Sequence, residues 1–342
     1  MKRTATTVAF SALALATLLP GAMAETIYVD QRYGPGGTGT PSAPYDTIQA
    51  AINDAGATEI IVLPGTYAEN LAVTKAISIY GYDGPHTTRI DGSAGTDTIS
   101  INRGITVRIE GLAISSGKRY GLVQPTEGTL RLRNCVFCGN TSHGLLIQRS
   151  ESAVAPNVQI YNCIMVANGG SGLMLNGLYH NGAFWWPTLV AMNNIFIGNS
   201  RYAIETNSNG DNDNSGSITL NYNCYVGNIV GKYVYPIGTT APYHPGSHSI
   251  ELSPEFVGGM VSSCGIDFRL LPTSPCKDMG HPGIGFLDPD GTCNDIGAYG
   301  GPGAQNFYTS PNDGPFIRSV TIDQGMVPRG GTFTIRATGA AR

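Results

Sequence analysis

The sequence predicts an all-β chain wound as a parallel solenoid, a β-helix of three short strands per turn. Three observations lead there: a repeat of about 30 residues, apolar residues that alternate within each repeat, and asparagine or glycine at the strand ends. Segments 130–140, 158–168, 189–199 and 218–228 carry the pattern, and their closing asparagines Asn140, Asn168, Asn199 and Asn228 are spaced by 28, 31 and 29 residues. A weaker copy at 107–117 has glycine in place of both asparagines, and a short apolar run follows each closing residue, as at 144–147 and 172–175. Val158, Ile160, Cys163 and Met165 show the alternation of a strand rather than a helix. No repeat can bury its apolar row alone, but turns stacked about 4.8 Å apart share one core. Asparagine suits the corners because it tolerates left-handed backbone, and in-register asparagines are expected to bond to one another along the axis. Eight to ten turns are expected.

From the N-terminus, Lys2 and Arg3, an apolar run over 8–19 and Ala22-Met23-Ala24 form the three parts of a secretory signal peptide over 1–24, cut after Ala24. The run is too short to span a bilayer, and no later stretch is long and apolar enough to anchor the mature chain. A secreted or cell-surface protein is expected. Removing Lys2 and Arg3 from the 20 basic residues leaves 18 against 24 acidic ones. That balance argues against nucleic acid, which needs a basic stripe, and mildly against polyanionic sugars. The expected domain is a solenoid over 25–305, acting as a monomer, then a polar linker over 306–314. Residues 315–342 alternate like the first strands of an immunoglobulin-like sandwich and form an incomplete β segment or a disordered tail.

Within the solenoid, 26–30 reads as a strand. Residues 45–55 place Ile48, Ala51, Ile52 and Ala55 at helical spacing, with Asp46 or Thr47 as N-cap and Gly56 as stop. Such an amphipathic helix covers the open end of a solenoid. Segments 59–67 and 76–81 give the first turns.

The Asn-Cys-x-Phe-x-x-Asn element at 134–140 and the Gly-Leu-x-x runs resemble the right-handed parallel β-helix, or pectin-lyase-like, superfamily. The opening segment, 47–70, is similar to that of pectinesterase-like and related bacterial surface β-helices. The tail resembles the secreted "choice-of-anchor Q" β-helix proteins through Ser274-Pro-Cys-Lys-Asp-Met-Gly280 and Asp295-Ile-Gly-Ala-Tyr299. In that group these elements close the coil. The resemblance implies a right-handed coil and leaves activity open, because the superfamily holds lyases, hydrolases, esterases and proteins without known chemistry. The residue signatures of polygalacturonases, pectinesterases and pectate lyases are absent from this sequence.

Seven cysteines leave at least one unpaired. Cys135 and Cys163, at equivalent places in consecutive turns, read as inward free thiols rather than a bridge, and Cys135-x-x-Cys138 has no partner pair for a metal. Cys276 and Cys293 flank the closing segment and are suspected to bridge. Asp288, Asp290 and Asp295 surround a glycine turn and suit either Ca²⁺ or a tight turn whose carboxylates bond to amides. The insertion at 178–187 holds both tryptophans, and Tyr179, His180, Trp185 and Trp186 either stack on sugar rings or fold back over the coil. The residues before the apolar runs, Tyr120, His143, Ser171, Tyr202 and Tyr233, with Arg119 and Arg201 adjoining, are expected to form a column along one corner. Arg119, His143 and Glu205 are the candidates there for acid, base or charge neutralisation; a solvated histidine is the plainer reading. Three functions remain in view: a polysaccharide-binding β-helix, a polysaccharide lyase or glycoside hydrolase, and a structural or adhesive surface module.

Overall fold

The computed structural model describes residues 25–124, 127–148, 155–180, 183–185, 187–206, 213–214, 218–233, 246, 248–259, 261, 264–304, 307, 316–322 and 335–340. Three parallel sheets share the long axis. Sheet 1 has 8 strands, from Glu25–Val29 to Ile218–Asn221. Sheet 2 has 7, from Gly65–Tyr67 to Cys224–Val226, and sheet 3 has 7, from Leu71–Val73 to Gly231–Tyr233. The chain visits sheets 1, 2 and 3 in rotation, so each strand pairs with its counterparts one turn before and one turn after. This is a right-handed parallel β-helix, in the sense that parallel crossovers take. It has 7 complete turns among the described residues. The expectation of eight to ten counted the tail as coil, whereas the tail leaves the coil.

Inward rows make the core. Leu130 pairs with Val107 and Val158, and Leu132 with Ile109 and Ile160; all six side chains are buried. Cys135 and Cys163 are buried free thiols on consecutive turns. At the same level Asn194 accepts the Cys163 N–H at 2.8 Å and donates to Asn223 Oδ1 at 3.0 Å.

Two corners explain the asparagines. Between sheets 1 and 2, Asn134, Asn162 and Asn193 have φ of 51°, 50° and 59°, the left-handed backbone that asparagine tolerates. Between sheets 2 and 3 the closing asparagines form the expected ladder. Asn140 Nδ2 donates to Asn168 Oδ1 at 2.9 Å, Asn168 to Asn199 at 2.9 Å and Asn199 to Asn228 at 2.8 Å. Each accepting oxygen also takes the backbone N–H of the asparagine one turn before, at 3.2 Å.

The capping helix spans Ile48–Asn53 and buries Ile48, Ala51 and Ile52 against the first turn. Thr47 is the N-cap. Glu69 adds a cap from the coil, accepting the N–H groups of Ile48 at 2.8 Å and Gln49 at 2.9 Å.

The elements 274–280 and 295–299 do not stack on the end of the coil, where Ser249 and Ile250 add to the last turn; they belong to a strap that lies along the outside of sheet 2. Val136, Cys138, Ile164, Val166, Ile195 and Cys224 face outward there and share a second buried cluster with Phe256, Phe268, Cys276, Ile296, Tyr299 and Phe307. Sheet 2 is therefore apolar on both faces, as strands covered on both sides must be. The strap meets the coil at several levels. Ile250 bridges Cys224, and Cys264 is disulfide-bonded to Cys138 with Cα atoms 5.6 Å apart. Asn162 Nδ2 donates to Asp295 O at 2.8 Å, and Asn134 Nδ2 to Gly300 O at 2.7 Å. Phe307, within the segment expected as a linker, is buried over Gly84, where a Cβ would stand 2.5 Å from the ring.

The suspected Cys276–Cys293 bridge is therefore corrected: both are free, because Cys276 points into sheet 2 while Cys293 Sγ faces Gly280 O at 3.5 Å. Beyond the strap, Phe316–Ile322 and Ile335–Ala340 pair antiparallel. The signal-peptide assignment to 1–24 lies outside the described residues. No helix among the described residues is long and apolar enough to cross a membrane.

Candidate functional site

The corner column forms, with one correction. Tyr202 pairs with Gly231, while Tyr233 lies opposite Ile204, so Gly231 takes the place expected for Tyr233. The remaining groups engage one another. The Tyr120 ring stacks on His143 at 5.6 Å and carries the Arg119 guanidinium 4.7 Å from its centroid. Arg119 in turn grips Asp97 through two bonds of 3.0 and 2.7 Å. Arg201 pairs with Glu205 at 2.6 Å, and the Ser171 hydroxyl donates to Glu205 while accepting the Tyr202 N–H at 3.2 Å. The Tyr120 ring thus packs against both a guanidinium and an imidazole.

His143 Nδ1 accepts the Ser171 N–H at 2.9 Å. A neutral imidazole held that way carries its proton on Nε2, which is then a donor. Burial also pulls His143 below its ordinary value, against the opposing pull of Glu205. The chemistry of this corner is hydrogen-bond donation from a neutral ring beside two closed ion pairs.

The tryptophan insertion is a hairpin. Leu178–His180 pairs antiparallel with Ala183–Trp185, and Asp213–Asn214 of the next turn joins beside Phe184 and Trp185. This small sheet places Tyr179, His180 and Trp185 in the connections from sheet 3 to sheet 1, while the Tyr120–Tyr202 column stands where sheet 3 begins. The two features are at opposite ends of the sheet 3 strands. Trp186 lies outside the described residues.

The aspartate loop holds its carboxylates on protein donors. Asp288 accepts the N–H groups of Asp295 and Gly301, and Asp290 takes the Thr292 N–H and hydroxyl at 3.0 and 2.7 Å. Asp295 takes Lys277 Nζ and the Asp278 N–H, both at 2.8 Å. This is the tight-turn arrangement, and no group of three or more His, Cys, Asp or Glu side chains suited to a metal occurs among the described residues. Burial, then the neighbouring Asp295, push Asp288 up to about 7. A folded-state value above the unfolded one means that the fold favours the protonated acid. The destabilising effect of ionising Asp288 is absent below about pH 4, grows as pH rises and is complete above about pH 7. Asp288→Asn keeps an acceptor for the amides and removes the charge. It is expected to match the wild type in thermal melts at pH 4 and to exceed it at pH 8; equal melting temperatures at both would refute the assignment.

The arrangement that sequence reasoning missed is the outer face of sheet 1. Its polar phase stacks in register. One row runs Ile61, Tyr80, Glu110, Arg133, Tyr161 and Met192; the next runs Ser78, Arg108, Arg131 and Gln159. Arg108 stands 5.2 Å from the Tyr80 centroid and Arg133 5.5 Å from that of Tyr161. Both reach one carboxylate, Glu110, at 2.7 and 3.9 Å. Arg131, between them, is exposed, and no carboxylate pairs with it among the described residues. Two guanidiniums thus share Glu110, Glu59 opens the second row beside Ser78, and Arg131 adds a third guanidinium, on strands about 4.8 Å apart.

This face has two borders. On one side runs the strap, where Phe286 packs 5.9 Å from Tyr161. On the other are the connections that include the tryptophan hairpin. Toward the capped end the face deepens into a cavity of about 250 Å³ lined by Glu59, Ile61, Tyr80, Tyr82, Glu110 and Phe307. The signal was present in the sequence: Arg108, Glu110, Arg131, Arg133 and Tyr161 occupy the outward phase of the same strands whose inward phase revealed the repeat.

No family model and no curated protein matches this chain, so the likeness of its tail to the choice-of-anchor Q group gains no support from those comparisons. Among solved structures it is similar to Escherichia coli YbhC, with 13% identity over 66% of this chain and 75% of that one and a TM-score of 0.33. It is also similar to a pectin methylesterase mutant in complex with a hexasaccharide, with 12% identity over 66% of this chain and 93% of that one and a TM-score of 0.35.

Proposed function

We propose that this chain is exported and binds polysaccharide along the outer face of sheet 1, without carrying out chemistry on it. The observation that carries the reading is the register of Tyr80, Arg108, Arg131, Arg133 and Tyr161 on an open face with a surplus of guanidinium over carboxylate. A rigid sheet holds these groups at a fixed repeat, which suits a ligand that is itself a repeating chain. Tyrosine edges and hydroxyls meet sugar hydroxyls, and a planar guanidinium grips an acidic group with two parallel bonds. The acidic balance of the whole chain argued against polyanions, but the local balance at this face is basic and favours glycans bearing acidic groups. Catalysis is left out of the reading because Glu110 is held by Arg108 and the Nδ1 lone pair of His143 is engaged by Ser171.

The test is a glycan array that includes neutral and acidic polymers, at low and high salt. Acidic polymers are expected to bind and to weaken with salt. Arg131→Ala is expected to weaken binding about tenfold or more, the loss of one charge-assisted contact. Binding that survives this substitution unchanged, or no binding to any polymer, would overturn the proposal, and the surface-module reading would take its place. Release of unsaturated or reducing ends from any of these polymers would restore the enzyme reading. N-terminal sequencing of the exported protein is expected to begin at Glu25.

A further inference from the structure

We infer that Cys224 and Cys276 form a second disulfide that fastens the strap to sheet 2 near the last turn of the coil. Cys224 begins the last strand of sheet 2 and pairs in register with Ile195, whose side chain faces the strap, so Cys224 faces it too. Cys276 lies on the strap, fully buried in the same apolar cluster. Cys276 O accepts the Ile296 N–H at 2.9 Å, and the adjoining Gly297 donates its N–H to Asn193 O at 2.8 Å, which sets Cys276 beside the start of the sheet 2 strands; the Cys224 thiol faces Leu252 O of the strap at 3.3 Å. The chain already uses this geometry once. Cys138, likewise on the outward face of a sheet 2 strand, is bonded to Cys264 of the strap. The strap returns to sheet 2 after Cys264, and the second thiol pair stands where it does so.

The reaction is a two-step exchange with a small-molecule disulfide. One thiolate attacks the external disulfide and expels a thiolate; the other then attacks the mixed disulfide and expels the second. Two protein thiols are oxidised to one bond, and one external disulfide is reduced to two thiols. The Cys224 thiol, then burial, push the Cys276 thiol up and keep it protonated, so exchange in the docked state is slow and the bond forms while the strap is settling.

The experiment uses the full chain, incubated natively with oxidised glutathione at alkaline pH, with a second sample refolded from urea in the same buffer. Remaining thiols are alkylated under denaturing conditions without reductant, and tryptic peptides are mapped. Cys138, Cys224, Cys264 and Cys276 fall on four different tryptic peptides, so each linkage has its own mass. The expected result is the Cys224–Cys276 linked pair in addition to Cys138–Cys264, with the five free thiols falling by two. Recovery of both peptides singly alkylated in both samples, or of Cys276 linked to Cys293, would overturn the inference.

Discussion

Asn168→Ala is expected to lower the unfolding free energy by about 3–5 kcal/mol, a large fraction of the stability of a typical domain. Asn168 is fully buried, and its side chain serves three neighbouring turns. Its oxygen accepts the N–H and the side-chain amide of Asn140; its amide donates to Phe137 O at 3.1 Å and to Asn199 Oδ1. Alanine leaves an N–H, an amide hydrogen and a carbonyl without these partners, and each buried polar group so stranded costs about 1–3 kcal/mol. No water can reach the position without opening the corner. Asn228, at the end of the ladder, is only partly buried, so solvent reaches its side of the corner and can stand in for the lost amide. Asn228→Ala should cost roughly 1 kcal/mol. Urea titrations of the two variants are the check. Similar losses at the two positions would mean that the ladder is decoration on a coil held by its apolar rows alone.

The ladder was legible in the sequence because its signal is strictly periodic: one asparagine closes each repeat. The inward rows were legible for the same reason. What the alternation of Val158 and Ile160 could not reveal was the environment of sheet 2. The clue is that Val136-Phe-Cys138, Ile164-Met-Val166 and Ile195-Phe-Ile197 do not alternate at all, and such runs signal strands buried on both faces. The covering partner comes from about 100 residues further on, and neither spacing nor composition fixes such a pairing. Cysteine pairing failed on the same ground. Cys138 and Cys264 are 126 residues apart and meet only because the strap folds back, whereas Cys276 and Cys293 are close in sequence and face different ways.

The site divides along a similar line. The Tyr120–His143 contact follows from stacking in register, but residue spacing alone does not say that the rings pack on each other instead of facing solvent. The sheet 1 face was readable in principle. Arg108, Arg131 and Arg133 sit at fixed offsets in repeats already aligned on their apolar positions, and asking what occupied the other phase would have found them. The lesson is physical: in a solenoid the inward phase is constrained by packing and records the fold, while the outward phase is free of that constraint and is where function can be written.

Loss of the Cys138–Cys264 bond is expected to act on the strap before the coil. By loop entropy, a crosslink enclosing 126 residues stabilises the whole chain by about 4–5 kcal/mol. That figure assumes unfolding in one step. In a solenoid each turn is held mainly by its neighbours, so an element lying outside the stack can detach while the stack persists. Under reducing conditions the strap keeps its apolar cluster and its contacts with Asn134, Asn162 and Asn193, but nothing covalent limits its opening. Cys138→Ser/Cys264→Ser, kept reduced, should therefore be cut by trypsin at Arg269 and Lys277 while the repeats from 57 to 233 resist. It should also bind a hydrophobic dye, as Val136, Ile164 and Ile195 become uncovered. The stability loss by denaturant should be about 3–5 kcal/mol for the strap transition and much smaller for the coil. If strap and coil are lost together, with one midpoint by every probe, then sheet 2 cannot stand without its cover. The strap would then be part of the solenoid's core rather than an addition to it.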